Sequence, residues 1–165
     1  MDLDHILTVI HRHAVQYLLI GGMNFLLRHE PVITYDVDLW IEDTGENRGR
    51  CELALAELSA QWGASDDDWG PVQEKGSGWL DRQSLFCLTS PHGAIDVFRY
   101  VRGLNDWQES RANAVTGRTA SGVPYLGLSD EDMLVCQLAL GADEQKADRV
   151  ETLRRALREQ GGSDA

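Results

Sequence analysis

The sequence has few lysines and no excess of positive charge. Only Lys75 and Lys146 are lysines among its 15 cationic residues, against 27 acidic residues, and the formal net charge is −12. A polyanion such as DNA or RNA is therefore repelled overall, and no stripe of Lys and Arg with interleaved aromatic residues opposes this repulsion. We expect a small molecule or a protein to be a better partner than bulk nucleic acid.

Long apolar runs are also missing, and the cysteines are odd in number. No apolar stretch approaches the roughly 20 residues that a membrane-spanning helix needs, and residues 1–13 do not resemble a secretory signal peptide. Cys51, Cys87 and Cys136 are widely spaced among apolar neighbours, which favours buried free thiols in a reducing compartment over disulfides or a zinc site. We therefore expect a cytoplasmic protein that does not bind membranes.

The length of 165 residues fits one ordinary domain with a substantial core and a small helical addition. A composition of 42% hydrophobic and 25% charged residues is typical of globular proteins. Helical and strand patterns alternate up to about residue 104, and helical patterns prevail beyond it. We predict an α/β domain over residues 1–104 and a mainly helical C-terminal segment over residues 105–165 that packs on it.

Hydrophobic periodicity predicts the order of the elements. Leu3, Ile6, Leu7 and Ile10 recur at helical spacing behind Asp2, a suitable N-cap. The further predicted elements are a strand over 16–20, a helix over 23–29, a strand over 34–41, a helix over about 47–61 and a loop over 63–78. They are followed by a hairpin of strand-like runs over 79–90 and 93–101 around the turn at 90–93, a helix near 106–114, short extended pieces over 116–128 and two C-terminal helices. The first of these two helices begins at Ser129, which resembles a capping box with Asp132. This order indicates an α/β (α+β) fold, with a small mixed sheet, helices on one side of it and a C-terminal helical segment.

Two aspartates stand inside the strand predicted over residues 34–41. Asp36 and Asp38 alternate with apolar residues, so both carboxylates point to one face of the sheet, with their Cα atoms about 6.6 Å apart at a rise of about 3.3 Å per residue. Asp96 lies in a second alternating run, and strands close in sequence are often neighbours. We expect the three acids to converge.

Such a cluster needs neutralisation, because two unit charges about 4 Å apart repel by about 4 kcal/mol at an effective dielectric of about 20. Either the pKa of one acid rises or a divalent cation binds. No cationic residue stands beside Asp36 and Asp38 in the sequence, which favours the cation, and all-oxygen ligands favour Mg²⁺ or Mn²⁺. The pattern predicts a metal site formed by Asp36, Asp38 and Asp96.

Gly21 and Gly22 end the apolar strand before a predicted helix. Glycines at this position let backbone N–H groups approach an anion at the start of a helix, although a Gly-Gly pair alone is more often only a turn. The specific signal is the ordered set: an apolar strand, Gly-Gly, the thirteen residues 23–35, an alternating D-x-D strand, a helix, and a hairpin whose second strand carries one Asp.

This ordered set resembles the nucleotidyltransferase superfamily, whose members share a polymerase-beta-like palm. Within it, the small bacterial toxin-like and minimal nucleotidyltransferases are the most similar in layout. Residues 17–41 resemble the glycine and D-x-D signature of the superfamily, and residues 93–98 resemble its third-acid strand. The C-terminal residues 128–153 resemble the paired helices that follow the catalytic half of such proteins.

The resemblance implies an enzyme that transfers a nucleoside monophosphate from an NTP to an acceptor hydroxyl, with pyrophosphate as the leaving group. It implies that Asp36 and Asp38 hold Mg²⁺ on the triphosphate and that Asp96, with both, holds a second ion. Antibiotic-modifying nucleotidyltransferases of similar size are the nearest enzymatic variant. The acceptor, the preferred NTP and the oligomeric state stay open.

The resemblance also implies which residues contact the nucleotide. Gly21 and Gly22 would cradle phosphate, and Thr34 matches a threonine of the signature. Lys146 is a candidate triphosphate contact, with Arg149 three residues later on the same predicted helix. Charged residues on a late helix are, however, more often only its solvated face.

Two positions depart from the superfamily pattern. Gln137 stands about where a lysine is common in the first C-terminal helix, and Val32 stands where many relatives carry an arginine. An alternative hypothesis is therefore a catalytically degenerate protein that keeps the fold as a nucleotide-binding or partner-binding module, such as one half of a toxin–antitoxin pair. A third interpretation treats the acids as polar positions on a solvent-facing sheet.

Overall fold

The computed structural model describes residues 1–162, which form six α-helices and eight strands. The last three residues of the predicted C-terminal segment lie outside this range. The helices are α1 (Leu3–Arg12), α2 (Gly21–Arg28), α3 (Gly45–Glu57), α4 (Trp107–Ala112), α5 (Asp130–Ala139) and α6 (Ala147–Gly162). The strands are β1 (Tyr17–Ile20), β2 (Asp36–Ile41), β3 (Gln61–Trp62), β4 (Gly70–Pro71), β5 (Leu85–Leu88), β6 (Ala94–Phe98), β7 (Val115–Arg118) and β8 (Pro124–Gly127). Among residues 1–162, no helix has both the length and the apolar character that crossing a membrane requires.

Six of the strands form one mixed sheet in the order β5-β6-β2-β1-β8-β7. Strand β2 is antiparallel to β1 and parallel to β6, and β1 is parallel to β8. Antiparallel hairpins, β5–β6 and β7–β8, close the two edges. The predicted α/β fold with a small mixed sheet is thus confirmed. Because β8 pairs with β1, the sheet draws strands from both sides of residue 104, and a domain boundary there stays a prediction.

One face of the sheet carries the larger hydrophobic core. Val37 and Leu39 of β2 lie in it with Ile6 of α1 and Leu55 of α3, and all four side chains are fully buried. Burying a side chain of this size contributes roughly 1.5–3 kcal/mol. The alternation along β2 therefore sets which face of the strand is buried, and it leaves Asp36 and Asp38 on the opposite face.

The second face packs against the C-terminal helices. Leu18 of β1 and Trp40 of β2 share a buried cluster with Met133 of α5 and Leu153 of α6. The backbone carbonyl of Trp40 accepts a hydrogen bond of 3.0 Å from Trp107 Nε1. Trp40 is therefore a packing residue, although it shares the face of β2 that carries the aspartates.

Four helices begin at side-chain caps, and one of them is α4, where the Asp106 carboxylate accepts from the backbone N–H of Gln108. The Asp2 carboxylate accepts from the backbone N–H of His5 at 3.0 Å, and the Thr44 and Ser129 hydroxyls cap α3 and α5 in the same way. These hydrogen bonds satisfy donors that a helix leaves unpaired at its start. The caps predicted at Asp2 and Ser129 are confirmed.

Some boundaries differ from those predicted. Helix α2 begins at Gly21 and not at residue 23, so the two glycines form its first turn. Strand β2 begins at Asp36 and not at residue 34, because its pairing with β6 begins where Asp36 meets Ala94. The extended segment before Asp36 has no ladder partner among the described residues and is not part of the sheet.

The region predicted as a loop over 63–78 is partly ordered by long-range packing. It contains β4 and a short 3₁₀ helix over Val72–Glu74, and a second 3₁₀ helix spans Trp79–Asp81, where a strand was predicted. The Trp79 ring stacks on Trp62 and meets Phe86 edge to face. Aromatic contacts between distant residues, and not local periodicity, hold this region.

The cysteines also differ from the prediction. All three are free thiols, but only Cys51 is buried, Cys136 is half-buried and Cys87 is exposed. Cys87 lies on β5, an edge strand of the sheet, where alternate residues face outward. An apolar neighbourhood in the sequence therefore did not determine the burial of this thiol.

Candidate functional site

Three aspartates come together on adjacent parallel strands. Asp38 of β2 and Asp96 of β6 are direct register partners, and Asp36 pairs with Ala94 two residues earlier. One carboxylate oxygen from each of Asp36, Asp38 and Asp96 lies within 4.8 Å of the other two, and all three residues are half-buried. The strand adjacency expected from the sequence is confirmed.

The electrostatics of this triad reflect burial and repulsion. The pKa of Asp38 is raised to about 7, first by burial and then by the neighbouring charges of Asp96 and Asp36, whereas the charge of Arg149 opposes the shift. Burial, followed by the charge of Asp36, also raises the pKa of Asp96. The metal-free triad thus holds a proton near neutral pH, as expected when acids share one site.

Gly21 lies directly against this triad. It adopts a left-handed backbone conformation with φ +69°, and a Cβ atom at this position would overlap the Oδ2 atom of Asp38. Ile20, the residue before it, provides no side-chain cap for α2. The first N–H groups of α2 are therefore open to an anion beside Asp38.

Gly22 places the same helix end next to two polar side chains. A Cβ atom on Gly22 would lie 3.1 Å from Thr34 Oγ1 and 3.3 Å from Arg149 Nη2. The Thr34 hydroxyl also lies 3.4 Å from the backbone carbonyl of Asp36. The structure thus places Thr34, both glycines and Arg149 beside the triad, and contact of Thr34 and the glycines with a nucleotide stays a prediction.

Lys146 and Arg149 occupy different positions on the C-terminal helical part. Lys146 is exposed, and its backbone N–H donates to Gln137 Oε1 at 2.9 Å. Arg149 is half-buried and lies over the Phe25 ring, with 5.6 Å between its Cζ atom and the ring centroid. Arg149 lines a cavity that opens beside Asp38 and Gly21, and Lys146 does not. A nucleotide contact by Lys146 stays a prediction.

A cavity of about 450 Å³ opens beside Asp38 and Gly21 and extends between the sheet and the C-terminal helices. Its three charged lining residues are Asp38, Arg102 and Arg149. The other lining residues are mostly apolar: Ile20, Gly21, Phe25, Ser84, Leu85, Phe98, Tyr100, Val101, Leu128, Met133, Cys136, Gln137, Leu140 and Leu153. The triad therefore lies at the polar end of an apolar cleft.

Arg99, which follows the third-acid strand, does not face this cleft. Its guanidinium donates to the Asp43 carboxylate at 2.8 Å and to the backbone carbonyls of residues 80, 81 and 83. These contacts join β2, β6 and the segment before β5. Arg99 is therefore a structural cation, and Arg102 is the cation after β6 that reaches the cavity.

Sequence reasoning missed the thiol beside the triad. Cys87 of β5 is the register partner of Asp96, and burial, followed by the charge of Asp96, raises the pKa of its thiol. The predicted hairpin contained enough information to place this thiol next to Asp96. Once its turn over residues 90–93 is assigned, Leu88 pairs with Ile95, and Cys87 must then lie opposite Asp96.

No protein-family model matches this sequence, and no curated protein matches it. Solved structures do match. The lincosamide antibiotic adenylyltransferase LnuA, bound to lincomycin, aligns at 16% identity with a TM-score of 0.53, covering 92% of this chain and 94% of LnuA. ANT(2″)-Ia in complex with adenylyl-2″-tobramycin aligns at 15% identity with a TM-score of 0.57, covering 98% and 89%.

A third similar structure is TM1012 from Thermotoga maritima, whose assignment as a nucleotidyltransferase is itself provisional. It aligns at 18% identity with a TM-score of 0.52, covering 95% of this chain and 91% of TM1012. At such low identities these likenesses concern the fold. The chain has the nucleotidyltransferase fold, as the sequence resemblance implied.

Proposed function

We propose that this protein is a divalent-metal-dependent nucleotidyltransferase that moves a nucleoside monophosphate from an NTP to a hydroxyl of a small-molecule acceptor. The observation that carries the proposal is the convergence of Asp36, Asp38 and Asp96 beside the glycine turn at the start of α2. The fold shared with LnuA and ANT(2″)-Ia supports the same reaction class.

The triad fits a hard divalent cation. Its ligand atoms are carboxylate oxygens, which Mg²⁺ and Mn²⁺ prefer. One such oxygen from each aspartate lies within 4.8 Å of the other two. The pKa of Asp38 stays raised by burial and by the neighbouring acids although the charge of Arg149 opposes the shift, so Arg149 alone does not neutralise the carboxylates. When bound, Mg²⁺ or Mn²⁺ would neutralise the carboxylates and polarise the phosphate oxygens of the NTP.

The residues around the triad supply the other requirements of phosphoryl transfer, which are positioning and charge neutralisation. The uncapped N-terminus of α2 at Gly21 and Gly22 would donate backbone N–H groups to phosphate oxygens. Arg149 would add a positive charge next to Gly22, where its guanidinium lies over the Phe25 ring. Thr34 would place its hydroxyl beside the same phosphates.

A small-molecule acceptor agrees with the charge and with the structural neighbours. The net charge of −12 disfavours bulk nucleic acid. Of the structural neighbours, LnuA is a lincosamide antibiotic adenylyltransferase, and ANT(2″)-Ia is in complex with adenylyl-2″-tobramycin. We propose an acceptor of comparable size for this chain, with an antibiotic as one candidate and a protein hydroxyl as the alternative.

Labelling with each NTP tests this function. The protein is incubated with Mg²⁺, one α-³²P-labelled NTP and a small-molecule cell extract, and pyrophosphate release and labelled products are followed. We expect one labelled small-molecule class, and Asp38→Asn should reduce its formation at least about 100-fold, the usual scale for losing a principal electrostatic group. Asp67→Asn, in an exposed loop, is the matched control and should retain activity.

The degenerate alternative has one specific observation in its favour. Gln137 stands where a lysine is common in relatives, and its Oε1 atom is engaged by the backbone N–H of Lys146. Among the described residues that line the cavity there is no lysine. Metal-dependent NTP binding without pyrophosphate release would favour a nucleotide-binding module, and neither binding nor release would favour a partner-binding module.

A further inference from the structure

The cavity beside the triad has two chemically different ends. One end is formed by Gly21, Phe25 and Arg149, where the glycine turn meets α6. The other end is formed by residues of β5, β6 and their flanking segments, and we name it the β5–β6 end. Its lining residues are Ser84, Leu85, Phe98, Tyr100, Val101 and Arg102.

The order of the strands assigns a substrate to each end. Gly21 follows β1, which lies on one side of Asp38, and Asp96 lies on the other side, with β5 beyond it. In an in-line displacement the leaving pyrophosphate and the attacking hydroxyl lie on opposite sides of the phosphorus atom. With the triphosphate at the glycine turn, the acceptor must approach from the side of Asp96, which is the side of the β5–β6 end.

The β5–β6 end offers an apolar surface. Leu85 and Phe98 are register partners on adjacent strands, and Tyr100 follows two residues after Phe98. Leu85 is 40% exposed and Tyr100 is 61% exposed, which leaves apolar area open beside a carboxylate cluster. Contact with such area stabilises a bound apolar group by roughly 25 cal/mol per Å² removed from water.

The six lining residues of the β5–β6 end include no acidic side chain that could pair with an ammonium group. Arg102 is the single charged side chain among the six described residues of the β5–β6 end, and none of them carries a carboxylate. The Glu144 carboxylate, which is outside this set, lies 3.8 Å from the Arg102 guanidinium and partly offsets its charge. A compound with several ammonium groups would lose hydration here and find no carboxylate partner among these six residues.

We infer that the acceptor is a hydroxyl compound with an apolar, non-polycationic body, and that this body binds at the β5–β6 end of the cavity. This inference rests on the proposed function, because it takes the glycine turn as the triphosphate site. It selects among small-molecule acceptors and excludes the polycationic ones.

The test uses 1-anilinonaphthalene-8-sulfonate, an apolar fluorophore with a single negative charge, on the full-length protein. We expect a saturable rise in its fluorescence. Leu85→Ser and Tyr100→Ser should each weaken its binding by about threefold, and together by about tenfold, through lost apolar contact. The matched control is Leu53→Ser on α3, where a 63% exposed leucine lies outside the cavity, and it should leave the affinity unchanged. Melting curves of all variants check that they fold.

A second arm separates the two substrates. Mg²⁺ and the α,β-methylene analogue of each NTP are added at saturation, and calorimetry measures analogue binding in the same samples. We expect the fluorophore affinity to change less than twofold. If the analogue displaces the fluorophore, the β5–β6 end belongs to the nucleotide and the inference is overturned. It is also overturned if Leu85→Ser and Tyr100→Ser leave fluorophore binding unchanged.

The third arm identifies the acceptor body. Labelled products from the extract are cleaved with phosphodiesterase, and the released acceptor is applied to reversed-phase and cation-exchange columns. Retention on the reversed phase supports the inference, whereas retention as a polycation overturns it. If the NTP analogue does not bind with Mg²⁺, the proposed function itself fails, whatever the fluorophore does.

Discussion

Asp38 and Asp96 stand opposite each other on two parallel strands, and Gly21 closes against Asp38 from the other side. This pairing places two carboxylates in one half-buried site at the end of an apolar cavity. The arrangement costs stability when no cation is present, because burial and repulsion both disfavour the charged forms. Binding of a cation would relieve this repulsion, so we expect the stability of the fold to depend on an occupied site.

The raised pKa of Asp38 predicts an unusual pH dependence of stability in metal-free protein. The folded protein binds this proton up to about pH 7, whereas the unfolded chain releases it near pH 4, so this contribution is full below pH 4 and is lost as the pH rises to 7. Its size is at most about 4 kcal/mol, from about three pKa units at about 1.4 kcal/mol each. Urea unfolding of wild type and Asp38→Asn in EDTA at pH 4.5, 6 and 7.5 measures it.

In that series, Asp38→Asn should be the less pH-sensitive protein and should exceed wild type in stability at pH 7.5. Parallel pH curves for the two proteins would contradict the assignment of the proton to Asp38. Because both proteins share every other titrating group, their difference reports Asp38 together with its coupling to Asp36 and Asp96.

Divalent cations should stabilise the fold. About 10 mM Mg²⁺ acting at a Kd of about 1 mM would add about 1.4 kcal/mol, which corresponds to a rise in melting temperature of about 3–6 °C for a chain of this size. Differential scanning fluorimetry with and without Mg²⁺ measures the shift. Asp36→Asn should melt higher than wild type in EDTA, because one repulsive charge is gone, and it should lose most of the Mg²⁺ shift. If neither effect is seen, the acids are solvated surface groups.

Gly21→Ala should damage nucleotide binding more than Gly22→Ala. A methyl group at position 21 would overlap Asp38 Oδ2 in a backbone with φ +69°, and the left-handed conformation alone costs a non-glycine residue roughly 1–2 kcal/mol. At position 22 the new methyl meets the movable side chains of Thr34 and Arg149 at 3.1–3.3 Å. Calorimetric titration with Mg²⁺ and an NTP should show at least a tenfold loss for Gly21→Ala and a smaller one for Gly22→Ala. Equal losses of NTP affinity in the two variants would indicate that overlap of the new methyl group with Asp38 does not cause the loss.

Arg149→Met should weaken NTP binding by about tenfold or more, since a hydrogen bond to a charged group contributes about 1.5–3 kcal/mol. Methionine keeps an apolar side chain of similar length next to Phe25 and removes the guanidinium that lies over this ring and beside Gly22. Lys146→Met is the matched control, because Lys146 is exposed and does not line the cavity. Its effect should stay below about threefold. The reverse ranking would establish Lys146 as the triphosphate contact, as the sequence resemblance predicts.

Local sequence patterns were enough to predict most of the elements. The alternation along β2 predicted which side chains face the core, and Asp2 and Ser129 correctly marked helix starts. The D-x-D spacing predicted that Asp36 and Asp38 share a face, because side chains alternate with a period of two along any strand. These signals depend on residues a few positions apart.

Local sequence patterns did not predict the pairing register between strands that are distant in the sequence. The pairing of Asp38 with Asp96 was expected from proximity in the sequence, but its direct register and the exposed thiol of Cys87 beside it came from the packed sheet. The C-terminal hairpin could be recognised only as extended pieces, since its parallel pairing with β1 joins residues more than 100 positions apart.

The sequence by itself thus determined that three acids and a pair of glycines occupy a strand, a hairpin and a helix start in an α/β chain. Only the tertiary structure decided that Arg149, and not Lys146, reaches the glycine turn, and that a mostly apolar cavity adjoins the acids. The physical reason is that periodicity is encoded by near neighbours, whereas the shape and charge of a cleft depend on how α5 and α6 pack across the sheet.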